Sequence, residues 1–326
     1  MKNSIYILKH GKLVRDENTV YFIEAGGEKR LLPVNKIEDI YAYGKVTLTS
    51  QVISYFAEKG IAVHFFNKYG FYQASFYPRE KLVSGTVLVN QVAHYLDKEK
   101  RLHLARKFVD GAAGNIIRNM RRWKCSTDEI EEIDALRGRI WSQKSIPQLM
   151  EVEGKIRERY YTAMDRKVPE EYRMIRRERQ PPNNKMNALI SFGNMLMYST
   201  VLSQIYNTQL NPTISYLHEP SERRFSLSLD IAEIFKPIIV DRIIMKLVRK
   251  NVLRDSDFRR DLNAVLLSDS GKKKFLREYD DRLHSTIMHR KLGRKVSFRK
   301  LIRIECYKLI KHLLDVEEYR PLIAWW

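Results

Sequence analysis

The pattern of apolar and polar positions changes once along the chain. Through residues 1–80, short β-branched and aromatic runs recur: "SIYIL", "TVYFIEA", "KRLLPV", "IEDIYAY", "KVTLTS" and "AVHFFN". Glycines or polar turns separate them, at Gly11, Gly26-Gly27, Gly44, Gly60 and Gly70. That punctuation predicts a small β domain made of hairpins. One helix interrupts it at "SQVISYFAEKG", where Val52, Ile53, Phe56 and Ala57 share a face and Gly60 supplies the stop. The stretch from Pro78 to Gly85 reads as a hinge. Beyond it the period is helical. Leu102, Ala105, Phe108, Val109, Ala112, Ile116 and Met120 recur at spacings of three and four. The charged tract from Arg166 to Asn184 reads as an exposed loop. "NALISFGNMLMYSTVLSQIY" follows as a strongly apolar helix, expected at the centre of the second domain, and "SFRKLIRIECYKLIKHLL" as an amphipathic basic helix. The predicted class is α+β: a β domain over residues 1–80, then a larger all-α domain over 81–326 that would carry catalysis.

Length agrees with two domains, since 326 residues leave ample sequence for separate cores. Charge changes the picture more. Lys and Arg number 59 against 39 Asp and Glu, a formal net charge of +20. Such a surplus predicts attraction to polyanions, nucleic acid first and an anionic membrane surface second. The alternative is a basic protein with no polyanionic ligand. Cys125 and Cys306 form no CxxC pair, so neither a structural zinc site nor a disulfide framework is expected, in keeping with a reducing cytoplasm. The N-terminus lacks the pattern of a secretion signal, and no apolar run approaches a membrane helix. Neither a P-loop nor a GxSxG elbow is present, which leaves ATP-driven and serine-hydrolase readings without support.

Two places could carry chemistry. In "IPQLMEVEGKIRERYYTAM" the apolar stripe includes Leu149, Ile156 and Tyr160, and Glu153 falls on it. A carboxylate facing a core is costly without a partner. A metal ion is one partner and an arginine another; the plainer reading is a buried ion pair or a partly exposed edge. Glu151 lies on a different face and is expected in solvent. The second place is "YLHEPSERRFSLSLDIAEIFKP". "FSLSLD" alternates like a strand or extended segment, and "DIAEIFKPII" reads as a helix with Asp230 at or near its N-cap. Asp230 and Glu233, three apart, share a face, and a capping-box-like start explains Asp230 without any metal. It does not explain His218. One His and two carboxylates suit Mg2+ or Mn2+, with Glu153 completing the set from another helix. Arg223 and Arg224 would then meet phosphate with planar forks, and Lys236 as a point charge. No rival histidine cluster appears. His64 sits on an expected strand, and His284 and His289 lie among basic residues, solvated or facing DNA. Three dense basic runs, Arg118–Lys124, Arg176–Gln180 and His289–Lys300, favour at least one surface that contacts phosphates more than bases.

At these residues the sequence resembles the CRISPR-associated integrase family, the large adaptation subunit that inserts spacers into CRISPR arrays. The likeness runs through nearly the whole chain in ordered blocks. "LPVNKIEDIYAYGKVTLTS" and "GIAVHFFNKYGFYQASFYPRE" resemble the family's β domain, in wording closest to type I systems, subtype I-B in particular. "EVEGKIRERYY", "PPNNKMNALISFGNMLMY", "LHEPSERRFSLSLDIAEIFKP" and "GRKVSFRKLIRIE" match its later blocks. The resemblance implies a divalent-metal-dependent DNA endonuclease and integrase. It assigns Glu153, His218 and Glu233 as ligands of Mg2+ or Mn2+, and Asp230 as a supporting acidic residue of the catalytic site. Many relatives have Asp where Glu233 stands, which keeps the carboxylate while altering ligand geometry. It also implies a homodimer through the β domains, DNA as substrate, and a small ferredoxin-like partner bridging two dimers. A non-catalytic nucleic-acid scaffold and a metal-dependent repair nuclease acting on branched DNA or RNA are the alternatives.

Overall fold

The computed structural model describes residues 3–67, 69–79, 82–174, 176–178, 181–220, 225–261 and 264–326. The chain divides into two units, Met1–Lys81 and Leu82–Trp326.

The N-terminal unit holds two four-stranded sheets. One runs in the order β1 (Asn3–Ile7), β5 (Ile37–Ala42), β7 (Ala62–Phe66), β8 (Tyr72–Phe76). The other runs β4 (Lys29–Leu32), β3 (Thr19–Glu24), β2 (Gly11–Asp16), β6 (Val46–Leu48). Hairpins account for only part of this. β2, β3 and β4 form an antiparallel meander and β7 pairs antiparallel with β8. But β1 with β5, β5 with β7, and β2 with β6 are parallel. Alternation reports which face a side chain takes, not which way a neighbouring strand runs. The helix α1 (Ser50–Lys59) lies between β5 and β7 in the chain and provides the crossover that a parallel pair requires.

That helix begins where Thr49 accepts from the Val52 amide at 3.3 Å and ends at Gly60, whose φ of 72° suits glycine alone at little cost. It buries Val52, Tyr55 and Phe56. Ile53, expected on the inner face, is 38% exposed, because the core takes the narrower stripe. Leu13, Val20 and Phe22 from one sheet, Ile7, Ile40 and Val63 from the other, and Val52 and Phe56 share a single core.

The C-terminal unit contains α2 (Gly85–Leu96), α3 (Lys98–Arg122), α4 (Thr127–Gly138), α5 (Ile146–Asp165), α6 (Lys185–Tyr206), α7 (Ser226–Phe235), α8 (Arg242–Arg249), α9 (Asp269–His284) and α10 (Phe298–Leu313). It is not wholly α. β9 (Phe258–Asp261) pairs with β10 (Ala264–Leu267), and β11 (Thr286–His289) with β12 (Arg294–Ser297). Each is a four-residue strand set among basic residues, too short to display a period. Tyr172 and Met174 are buried, so the Arg166–Asn184 tract is not a simple exposed loop.

Every member of the predicted α3 stripe is buried. The apolar helix α6 is buried around most of its circumference, as its lack of a polar face requires. A Cβ on Gly193 of α6 would lie 2.5 Å from Val240 Cγ1, so this glycine lets α6 press against the segment that follows α7. That segment, Pro237–Asp241, is a π-helical turn leading into α8. Asn115 of α3 locks the arrangement. Its amide donates to the carbonyls of Ile234 and Leu322, each at 2.9 Å, and its oxygen accepts from Ala324 N at 2.7 Å. A buried amide satisfied on both sides in this way fixes α7 and the C-terminal strap against α3. Among the described residues, no helix is long and apolar enough to cross a membrane.

Candidate metal centre

Ser145 caps α5 through the Gln148 amide, and a proline in the first turn suits the helix start. The helix then buries Leu149, Val152, Ile156 and Tyr160. Glu153 sits at the edge of that stripe with its side chain 25% exposed. One turn on, Arg157 Nε donates to Glu153 Oε1 at 3.1 Å, and Arg157 Nη2 donates to Glu233 Oε2. Glu233, on α7, is buried and also accepts from Lys236 Nζ. Two carboxylates from two helices therefore share one guanidinium. Glu153 is thus both the edge residue and the arginine partner that its place on the stripe allowed. Arg157 Nη1 is buried with no hydrogen-bond partner among the described residues.

The neighbouring loop is tied to α7 by Asp230. Its Oδ2 accepts from Tyr216 N at 2.7 Å and Leu217 N at 3.0 Å; its Oδ1 accepts from His218 N at 3.0 Å and meets His218 Nδ1 at 2.8 Å. Four contacts saturate the carboxylate, so Asp230 orients His218 and has no oxygen to spare for a ligand. With Nδ1 held, the other ring nitrogen of His218 is the one available for coordination.

Asp230 is not at the helix start. α7 begins at Ser226 with Phe225 as its cap residue and no side-chain capping bond, so "FSLSLD" is helical rather than extended. The alternation misleads because its serines are buried too. Ser226 Oγ donates to the Thr213 carbonyl at 2.8 Å and Ser228 Oγ to the Phe225 carbonyl at 2.7 Å, which lets small polar residues line an otherwise apolar helix.

Electrostatics follow the contacts. Burial opposes ionisation of Glu233, but Lys236 and Arg157 more than reverse it and hold the carboxyl well below the usual range. Burial likewise opposes the Lys236 ammonium, and Glu233 raises it above an ordinary lysine. Burial also works against an imidazolium at His218, yet the Asp230 bond and the charges of Asp230 and Glu233 raise its pKa. Asp241, the last residue of the π turn, behaves differently. Burial pushes it up to about 6 despite Arg157 and a 2.9 Å bond from Tyr160 OH.

The structure thus brings Glu153 and Glu233 together through Arg157, and His218 close enough to Glu233 for their charges to interact. Among the described residues, no three His, Cys, Asp or Glu side chains converge closely enough to hold a metal ion as they stand. The donor set nevertheless fits one. It offers two carboxylates already organised around a positive charge, and an imidazole whose second nitrogen is oriented by a carboxylate. Lys236, expected to meet phosphate, is instead buried against Glu233, 4.7 Å over the Tyr198 ring. Arg223 and Arg224 lie outside the described residues. His64 is buried on β7, its Nδ1 2.7 Å from Ser75 Oγ. Arg157 was missed by sequence reasoning. Its signal was the i,i+4 spacing from Glu153, where acid and base are helix neighbours.

A family model described as CRISPR associated protein Cas1 matches residues 5–281. The chain belongs to the Cas1 family. Among its Cas1 relatives, the CRISPR-associated endonuclease Cas1 of Pyrococcus horikoshii is 51% identical over 324 residues, 99% of each chain. A solved Cas1 protein of Thermotoga maritima superposes with a TM-score of 0.90 at 37% identity, covering 98% of this chain and 99% of that one. A casposase bound to integration product superposes with a TM-score of 0.87, covering 98% of this chain and 93% of that one; at 21% identity it speaks for the fold alone.

Proposed function

We propose that this Cas1 chain is a divalent-metal-dependent DNA integrase with endonuclease activity, acting in spacer acquisition. The observation that carries the reading is the convergence of Glu153 and Glu233 on Arg157 beside a carboxylate-oriented His218. The name of the Pyrococcus horikoshii relative, an endonuclease, supports it.

Glu153, His218 and Glu233 would hold Mg2+ or Mn2+. When bound, the ion supplies Lewis-acid polarisation of the scissile phosphate and lowers the pKa of an attacking hydroxyl. Asp230 keeps His218 in its loop and fixes which ring nitrogen faces the site. Arg157 carries a buried, unsatisfied Nη1, a donor suited to a phosphate oxygen. In strand transfer, a 3′-hydroxyl oxygen of incoming DNA bonds to a phosphorus of the CRISPR repeat. The bond from that phosphorus to the repeat-strand 3′-oxygen breaks, and the proton lost by the nucleophile balances the one gained by the leaving oxygen. One phosphodiester replaces another. With water as nucleophile the same centre cuts DNA. Two attacks on opposite strands complete insertion, for which a homodimer through the β unit and a small ferredoxin-like partner bridging two dimers are the expected assembly.

The test is transfer of a labelled duplex into a supercoiled repeat-bearing plasmid, with Mn2+, Mg2+ or EDTA, with and without the small partner. Label joins plasmid only with metal and is lost in Glu153→Gln and His218→Ala proteins. Retained metal-dependent transfer by Glu153→Ala would refute the ligand assignment. Metal-dependent cutting of branched DNA or RNA without joining, even with the partner present, would replace the integrase by a repair nuclease.

A further inference from the structure

Three arginines of the helical unit lie near one another, and among the described residues none of them forms an ion pair. Arg122 ends α3, Arg242 opens α8, and Arg282 lies in the last turn of α9. Hydrogen bonds fix their neighbourhood. Arg242 Nε donates to Asn119 Oδ1 at 2.8 Å, and Asn119 stands one turn before Arg122 on the same face of α3. Arg282 Nη2 donates to the Ile238 carbonyl at 3.0 Å, one turn before Arg242. Asn119 also donates to Tyr160 OH at 3.0 Å, which anchors the group to α5, the helix that carries Glu153.

Arg242 and Arg282 differ from the cations of this unit that are enclosed with a carboxylate. Arg157 and Lys236 meet Glu233, and Lys274 meets Asp257 at 2.6 Å. Among the described residues, neither Arg242 nor Arg282 forms an ion pair with a carboxylate; the charge of Arg122 acts on both and that of Arg242 on Arg282. Arg282 Nε is buried with no hydrogen-bond partner, and the guanidinium lies 3.8 Å over the Phe298 ring, which closes one of its faces. Burial, then the neighbouring arginines, lower both Arg242 and Arg282 to about 10. Arg122 is exposed and leaves the cluster open to solvent. Half-buried like charges repel unless an anion joins them, and arginine forks from three helices match the oxygens of a phosphate.

We infer that Arg122, Arg242 and Arg282 form a binding site for a backbone phosphate of nucleic acid, separate from the carboxylate centre. Tyr160 stands seven residues after Glu153 on α5, about 10 Å of helix rise. The chain's net charge of +20 favours a polyanion over a small free anion as the occupant. The inference rests on the reading that this chain acts on DNA.

The test is equilibrium binding of a fluorescent DNA duplex in EDTA across a salt series, so that no catalysis enters. The wild-type chain is compared with Arg122→Ala, Arg282→Gln, their double variant and Lys98→Ala, a control on the exposed start of α3. Circular dichroism and melting establish that each is folded. Each arginine variant is expected to lower the slope of log K against log salt by about 0.9, the double variant by about twice that, with no change of sequence preference. Lys98→Ala leaves the slope unaltered. Should Arg282→Gln not fold, Arg122→Ala, an exposed position, decides alone. An unchanged slope in folded Arg122→Ala, with wild type binding DNA normally, overturns the site and leaves the integrase reading intact. Wild type that binds no duplex overturns both. A melting shift from inorganic phosphate that Arg282→Gln abolishes, with the DNA slope unmoved, would make it a small-anion pocket and overturn the nucleic-acid assignment.

Discussion

Two groups of enclosed cations meet along α5, and they are built in opposite ways. At one end Arg157 and Lys236 are matched by Glu153 and Glu233, and the carboxylates raise both cations. At the other, Arg242 and Arg282 make no ion pair among the described residues, and burial with a neighbouring arginine lowers each. The first group is neutralised from within; in the proposed function a metal ion would take the place of its internal cations. The second lacks its anion. The contrast teaches what each would take from outside under the two proposals: the carboxylate group positive charge and the arginine group negative. A nucleic acid reacting at a metal brings both together.

The largest effect should come from breaking the balanced group. Glu233→Gln leaves Arg157 and Lys236 enclosed against a neutral side chain. Removing one partner from a buried ion pair costs about 3–5 kcal/mol, because the remaining charge stays buried. Urea unfolding should show a loss of that order. Strand transfer should fall on the order of a thousandfold, the scale for removing a preorganised charge-stabilising group from a reacting centre. Unimpaired transfer would remove Glu233 from the centre.

Asp230→Asn attacks the same group indirectly. The amide oxygen can still accept from Tyr216 N and Leu217 N, but an NH2 donor then faces His218 N and Nδ1 in place of a carboxylate oxygen. Loss of such a supporting partner costs about 10- to 100-fold in metal affinity. The concentration of Mn2+ that half-saturates transfer should rise by that factor, while the rate at saturating metal changes less. A loss of rate with no change in metal requirement would mean that Asp230 serves only the fold.

Much of this was legible beforehand. Glu153 stood out as a carboxylate on an apolar stripe, and an unfavourable placement demands a partner whatever the fold. The α3 stripe and the all-round apolarity of α6 were equally plain, because helical burial writes a period of 3.6 into the chain. Three things were hidden for physical reasons. Strand direction in the β unit leaves no mark on alternation, so parallel pairs read as hairpins. The serines of α7 bury themselves by bonding back to the main chain, so a helix read as a strand, and Asp230 read as a cap. The arginine group draws one residue from each of three helices far apart in sequence, which no spacing rule can assemble. Arg157, one turn from Glu153, went unnoticed because an i,i+4 acid–base spacing is common on helices and the second carboxylate comes from another helix.

Asp241 lies between the two groups and gives the comparison a pH handle. Burial raises its folded pKa from 3.8 to about 6, so the native state holds the proton more tightly than the unfolded chain does. Stability from this residue is therefore present in full below the unfolded value and is lost as pH rises from about 4 to about 6. Above that the fold carries an unfavourable carboxylate, by about 3 kcal/mol for a shift of this size. Asp241→Asn keeps an acceptor for Tyr160 OH and removes the charge. It should be more stable than wild type at pH 7.5 by up to about that amount, with the gap closing as pH falls toward 4. A variant less stable than wild type at pH 7.5 would mean that Asp241 is a needed counter-ion of Arg157, and that the balanced group extends one residue further.

The smallest effect is expected at Glu151, two residues from Glu153 on the same helix. The two acids share a sequence neighbourhood and an i,i+4 basic partner, Lys155 for one and Arg157 for the other. They differ in what lies beyond that partner. Lys155 and Glu151 are both exposed, and their charges are screened by water. Arg157 is enclosed and passes from Glu153 to Glu233. Glu151→Gln should leave both the unfolding midpoint and strand transfer unmoved, while Glu153→Gln abolishes transfer. Equal losses from the two would show that the total negative charge on this turn of α5, and not its position, is what counts. Unequal losses would show that what matters is the second carboxylate across the guanidinium, and therefore the geometry that α7 supplies.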